Sequence, residues 1–174
     1  MSDFLTLLAA TVFLSGGLAQ AAERTLIDEG RISLILPDGW KTTELNATDV
    51  IAGYATQDNR SSVFFRAVEG GSGGDMEDIL NATIGNYEAT FTVKKVSKTK
   101  TGHVDGPARK WPGIFTIVEA EVKKGDNTFT MKFYLLVFDT GSRLYLMQAS
   151  TTLPVREARE RQIYELIRSL VAKE

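Results

Sequence analysis

The sequence predicts an α+β fold, an antiparallel sheet flanked by helices, and three observations carry that prediction. Between Ile114 and Ser150, three apolar stretches are separated by Lys124-Gly125-Asp126-Asn127 and by Thr140-Gly141-Ser142. β-Branched and aromatic residues dominate between those turns, as they do on a pleated, half-buried surface. In the middle stretch Phe129, Met131, Phe133, Leu135 and Val137 fall on one face. On the other, Thr128, Thr130 and Lys132 give way to Tyr134, Leu136 and Phe138. That second face turns apolar only at its C-terminal end, so something must cover it, and the amphipathic helix that follows is the best candidate.

The remaining elements follow in order. Thr25 to Glu29 reads as a short first strand, and Arg31 to Leu36 as a clearer one, closed by the turn Pro37-Asp38-Gly39 with Trp40 packed behind it. Glu44 to Asp49 is loop-like. Val50–Thr56 and Ser62–Val68 read as a hairpin through Gln57-Asp58-Asn59-Arg60. Glu69 to Gly74 is a glycine-rich loop. Asp75 then caps a helix whose apolar face is Met76, Ile79, Leu80, Ile84, Tyr87 and Phe91, with Glu77 and Asp78 suiting the dipole of its first turn. Gly85 weakens this helix by roughly 1 kcal/mol relative to Ala. Thr92 to His103 is expected to be a peripheral strand and Val104 to Gly113 a loop. Pro154 opens the closing helix, Val155 to Lys173, with a buried stripe of Val155, Ala158, Ile163, Leu166, Ile167, Leu170 and Val171.

Composition bounds the class. A chain of 174 residues, 43% hydrophobic and 24% charged, is one soluble domain with enough length for a sizeable core. Twenty basic against 22 acidic residues give a net charge of -2, with no overall pull towards nucleic acid or an anionic membrane. The lack of cysteine excludes disulfides, thiolate metal sites and thiol catalysis. Phe4 to Ala22 is apolar, then small, and reaches the cleavage-like Ala19-Gln20-Ala21. Gly16, Gly17 and Gln20 interrupt it short of the roughly 20 residues of a spanning helix. Residues 1–22 are therefore expected to be a signal peptide with a retained anchor as the competing reading, and residues 23–174 a single periplasmic or secreted domain with no stable membrane span.

No constellation compels a chemistry. His103 is the sole histidine, and His103-Val104-Asp105 pairs a base with a carboxylate, yet no nucleophile elbow accompanies it. Gly70 to Asp75 matches one copy of a calcium repeat that works only when stacked, and lacks the Lys-Ser/Thr of a phosphate loop. Asp75, Glu77 and Asp78 are explained by the helix start. No metal or cofactor is expected. The matches to the glycosylation pattern at Asn46, Asn59 and Asn81 matter only in a glycosylating host. Lys94, Lys95, Lys98 and Lys100 form an acid-free basic strip, read either as protection of an edge strand or as a face for an acidic partner. Arg109-Lys110-Trp111 reads either as a recognition loop or as a core tryptophan with solvated neighbours.

Ile32-Ser33-Leu34-Ile35-Leu36-Pro37-Asp38-Gly39-Trp40 resembles the opening strand and L-P-x-G-W turn of the PsbP-like fold and its bacterial DcrB/DUF1795-type envelope relatives. The helix after the second hairpin, the long meander and the closing Ile167-Arg168-Ser169-Leu170-Val171 extend the resemblance over about residues 30–172. It implies an α/β/α sandwich. The fold's users are accessory and binding proteins, namely photosystem subunits, a Ran-binding protein and envelope proteins, so a non-enzymatic accessory role through protein contacts is the expectation. The partner would be an envelope or secreted protein. The alternative is a small-molecule or lipid-binding module with a pocket between sheet and helix, at Tyr134, Leu136 and Phe138.

Overall fold

The structure, a computed structural model, describes residues 23–44, 47, 49–68 and 75–174. The expected export signal of residues 1–22 and the glycine-rich stretch of residues 69–74 lie outside the described residues.

The meander forms as its alternation dictates. β8 (Lys110–Lys124), β9 (Asn127–Asp139) and β10 (Leu144–Thr152) pair antiparallel in sequence order. The first hairpin closes on the pair Lys124–Asn127, and Gly125 takes the positive φ of 60° that a two-residue hairpin turn requires. Around this centre lie β1 (Thr25–Ile27), β2 (Ile32–Leu34), β3 (Trp40–Thr42), β4 (Val50–Thr56) and β5 (Ser61–Val68). Two further strands, β6 (Thr92–Val96) and β7 (Lys100–Asp105), and the short β11 (Val171–Ala172) complete one curled, half-barrel-like sheet. Its order is β1-β2-β11-β7-β8-β9-β10-β5-β4-β3, with β6 also on β8.

One helix covers each face. Phe133, Leu135 and Val137 of β9 join Leu80 of α1 (Met76–Thr90), and the Phe133 ring meets Tyr87 and Phe91. Tyr134, Leu136 and Phe138 point the other way and join Ile163, Leu166 and Leu170 beneath and beyond α2 (Glu157–Arg168). Burying each such side chain contributes about 1.5–3 kcal/mol, which fixes the register, because a one-residue slip would exchange the two faces. Asp75 caps α1 as expected, its Oδ1 accepting from the Glu77 amide at 2.8 Å.

The structure corrects five expectations. Among the described residues, two short helices against eleven strands make a β-dominated curled sheet, so an α/β/α sandwich overstates the helical layers. The sheet is mixed, because β11 lies parallel to β7 through the pair Val171–Asp105. The stretch from Thr92 to His103 is two strands, both on β8. Ser97 parts them: its Oγ accepts from the Ile117 amide and its carbonyl from the Thr116 hydroxyl, each at 2.9 Å. The supposed loop from Val104 to Gly113 is the β7–β8 hairpin. The closing helix begins at Glu157, three residues after Pro154, and stops at Arg168. There the Ser169 hydroxyl turns back on the Leu166 carbonyl and accepts from the Ile35 amide, and Val171 and Ala172 enter the sheet.

Candidate functional site

The sequence-derived candidates sit around β6 and β7, and the structure divides them. Lys94 pairs with Glu121 of β8 at 3.0 Å. Lys95 lies opposite Glu119 in the β6–β8 register, and both line a small cavity with Lys132 of β9. Lys132 in turn donates to Glu160 of α2 at 2.6 Å. These charges alternate in sign from strand to strand up to the helix. Lys94 and Lys95 therefore face acids of β8 at the sheet margin, as edge protection requires.

Lys98 and Lys100 are different. Both are exposed, and neither has an ion-pair partner among the described residues. Arg109 and Lys110 are likewise exposed at the far end of β7, where Lys110 lies opposite Asp105. Five residues of strand, about 17 Å, separate Lys100 from that end. Val96, 41% exposed, adds an apolar side chain beside the lysines.

Trp111 belongs to the core. It is 2% exposed, and its Nε1 donates to the Ala172 carbonyl at 2.9 Å. The exposed Arg109 guanidinium lies over its ring, 4.2 Å from the centroid. An arginine held over an aromatic face is pre-positioned for a planar carboxylate.

His103 Nε2 stands 3.8 Å from Asp105 Oδ1, beyond hydrogen-bond reach, and both side chains are half exposed. Among the described residues no three acidic or histidine side chains converge as a metal site would need. No helix there is long and apolar enough to cross a membrane.

The expected ligand pocket at Tyr134, Leu136 and Phe138 is filled core. Those side chains are 0%, 7% and 0% exposed. Tyr134 meets the Tyr164 ring edge-on and donates to Glu160 at 2.9 Å. Burial, then that carboxylate, pushes the Tyr134 phenol far above its ordinary range. Glu160 is held low, first by the Lys132 ammonium and further by the Tyr134 hydroxyl.

A cavity lies elsewhere. About 700 Å³ opens between the β4–β5 turn, the turn end of the β8–β9 hairpin and the segment leading into α2. Its lining comes from three stretches distant in sequence, so no local motif announced it.

No protein-family model matches the chain, and no curated protein matches it significantly. Solved structures do. The solution structure of cyanobacterial PsbP from Synechocystis aligns with a TM-score of 0.59 at 13% identity, covering 90% of this chain and 96% of that one. LpqN of Mycobacterium tuberculosis, involved in cell envelope biogenesis, aligns with a TM-score of 0.56 at 11% identity, over 90% and 88%. The Saccharomyces cerevisiae Ran-binding protein Mog1p aligns with a TM-score of 0.53 at 12% identity, over 85% and 93%. The present chain spans about half of a matched Bacteroides thetaiotaomicron chain, 49% of its length. At these identities the likeness is one of fold, and the fold is PsbP-like.

Proposed function

We propose that this protein is a periplasmic or secreted, non-enzymatic accessory protein that works by contacting another envelope or secreted protein. The carrying observation is the exposed margin of β6 and β7. Lys98, Lys100, Arg109 and Lys110 project there without ion-pair partners among the described residues, beside exposed Val96. Such a margin suits an acidic protein surface, with Arg109 poised over Trp111 as the directional contact. Two matched folds favour the reading by name, one Ran-binding and one involved in envelope biogenesis. The signal-like residues 4–22 motivate export, and the L-P-x-G-W opening motivates a place among DcrB-type envelope proteins.

The test is in-cell crosslinking of the tagged full chain, run beside a Lys98/Lys100/Arg109/Lys110→Glu variant and a Lys94/Lys95→Glu control. The expected result is one specific partner, captured by parent and control and lost by the first variant. Equal capture by all three places the interface elsewhere, and absence of any specific protein sinks the protein-contact reading. Fractionation and N-terminal sequencing of the same protein test export: an intact Met1 in the cytosolic fraction overturns it.

A further inference from the structure

At the turn end of the β8–β9 hairpin the apolar row facing α1 emerges into the open. Along β9, Phe133 is 8% exposed, Met131 is half-buried and Phe129 is 44% exposed. Val122 of β8 stands opposite Phe129 in register. Leu153, Pro154 and Val155, on the way into α2, form the facing wall of the 700 Å³ cavity. That volume falls within the range of about 300–1,000 Å³ typical of small-molecule sites.

The rim is charged with one sign. Arg60 from the β4–β5 turn, Lys124 from the hairpin and Arg156 at the start of α2 all line the cavity, and no carboxylate does. All three are exposed, and none has an ion-pair partner among the described residues. Three nearby acids are engaged elsewhere, Asp58 with Arg159 at 2.7 Å, Glu157 with Arg161 at 3.2 Å, and Glu160 with Lys132, while Asp126 of the hairpin turn does not line the cavity. Arg156 is also the N-cap of α2 and makes no side-chain cap, so the positive end of the helix faces the same rim. Three cations at the mouth of an apolar cavity call for an occupant with an anionic head and a hydrocarbon body.

The backbone decides which class of occupant fits. The amides of Thr152 and Leu153 already donate to the carbonyls of Arg60 and Thr130, at 3.0 and 2.8 Å, and Pro154 has no amide to offer. β8 and β9 bond each other down to the Lys124–Asn127 pair, leaving no open strand edge between them. The free backbone groups left on this wall are the amides at the start of α2, so a peptide lying along the apolar row would bury most of its own amides unpaired, at a cost of about 1–3 kcal/mol each. An alkyl chain carries no such groups. The geometry points to a binding site for a free fatty acid of medium to long chain. Its chain lies along Val122, Phe129, Met131 and Leu153, and its carboxylate is held by Arg60 and Arg156 with Lys124 nearby. Two guanidiniums from separate elements can each offer a carboxylate a pair of donors, which makes the head the specific contact. The site is separate from the β6–β7 margin and independent of the protein-contact reading.

The test uses the purified full chain and dodecanoate below its micelle concentration, titrated calorimetrically beside hexanoate and dodecyltrimethylammonium. The expected result is saturable one-to-one binding of dodecanoate, at least tenfold tighter than either control. Arg60→Glu/Arg156→Glu, which alters two exposed side chains, should weaken it tenfold or more. The Lys98/Lys100/Arg109/Lys110→Glu variant should bind dodecanoate like the parent. Methyl resonances of Met131 and Val122 in the parent should shift on titration, locating the site without any variant. Absence of saturable binding overturns the proposal. So does equal binding of the cationic amphiphile, undiminished binding by the Arg60/Arg156 variant, or shifts confined to another face. Binding of an acidic peptide or anionic phospholipid vesicles in preference to dodecanoate would reassign the cavity. A dimer that dissociates on Phe129→Asp would assign it to a second copy of the chain.

Discussion

Tyr145 donates its phenol to Asp28 Oδ2 at 2.5 Å, although four strands separate β10 from β2 in the sheet order. In a flat sheet five inter-strand steps of about 4.8 Å would hold the two roughly 24 Å apart. The sheet therefore curls until its β1–β2 turn faces β10, and Arg143 closes the same contact by donating to both oxygens of Asp28. The turn is tightly wound, with Asp28, Glu29 and Gly30 all at positive φ. Tyr145→Phe should cost about 1.5–3 kcal/mol, since it removes a hydrogen bond to a largely buried carboxylate. Asp28→Asn preserves the left-handed backbone, which Asn tolerates. In a denaturant double-mutant cycle the two substitutions should cost less together than their sum. Strict additivity would mean that the contact does not hold the curl.

The buried phenols should make the protein sensitive to alkali. Burial pushes Tyr87 up to about 12 and raises Tyr54, while burial and neighbouring carboxylates raise Tyr134 and Tyr145 further. Each binds its proton more tightly folded than unfolded. Their stabilising contribution is complete below pH 10, the ordinary phenol value, and is lost as pH rises above it. Absorbance at the tyrosinate band should rise late and in step with loss of secondary structure. Early, stepwise ionisation of four phenols in a still-folded protein would refute this.

How much was legible along the chain depends on how far each cause reaches. The meander was readable because alternation and the turns at Gly125 and Gly141 are local. Asp75 announced α1 for the same reason. The end of α2 was not readable. Leu170 and Val171 continue its apolar stripe, and only Ser169, bonded to Ile35 134 residues away, and the gap between β2 and β7 end the helix and turn Val171 into a strand. The lysine strip looked free of acids because Glu119 and Glu121 lie more than twenty residues beyond Lys94 and Lys95, and pairing with β8 brings them alongside. Arg109-Lys110-Trp111 was ambiguous because burial of the indole depends on Ala172.

Asp58 ties the β4–β5 turn to α2, and this tie should fail in acid. Its carboxylate is lowered from 3.8 to about 2, first by the Thr56 hydroxyl, then by the Arg60 amide, with Arg159 adding to both. The folded state thus holds the ionised form more strongly than the unfolded chain does. The gain is present above pH 3.8 and disappears as pH falls towards 2. Asp58 is half exposed, so salt should shrink the effect. Urea midpoints of the parent and Asp58→Asn should differ by a constant amount above pH 4, converge between 4 and 2, and lie closer at high salt. A gap that persists at pH 2 would show that the loss is steric.

Gly106 closes the β7–β8 hairpin where nothing larger fits. An added Cβ would lie 2.5 Å from Trp111 Nε1, 2.8 Å from the Arg109 carbonyl and 2.9 Å from the Ala172 carbonyl. The last two are backbone atoms and cannot rotate aside. The Gly106 amide also donates to Arg109 across the turn at 2.9 Å, so retreat breaks a bond of the hairpin. Gly106→Ala should cost about 1–3 kcal/mol by overpacking. The damage should spread to β11, because the same indole N–H holds Ala172. Hydrogen exchange would report it as faster opening of the Val171 and Ala172 amides, with the β9 and β10 amides little changed. Trp111→Phe in the alanine background should recover only part of the loss, since both carbonyls stay where they are. Full recovery would mean that the indole alone crowds Gly106 and that the C-terminal strand is free to move.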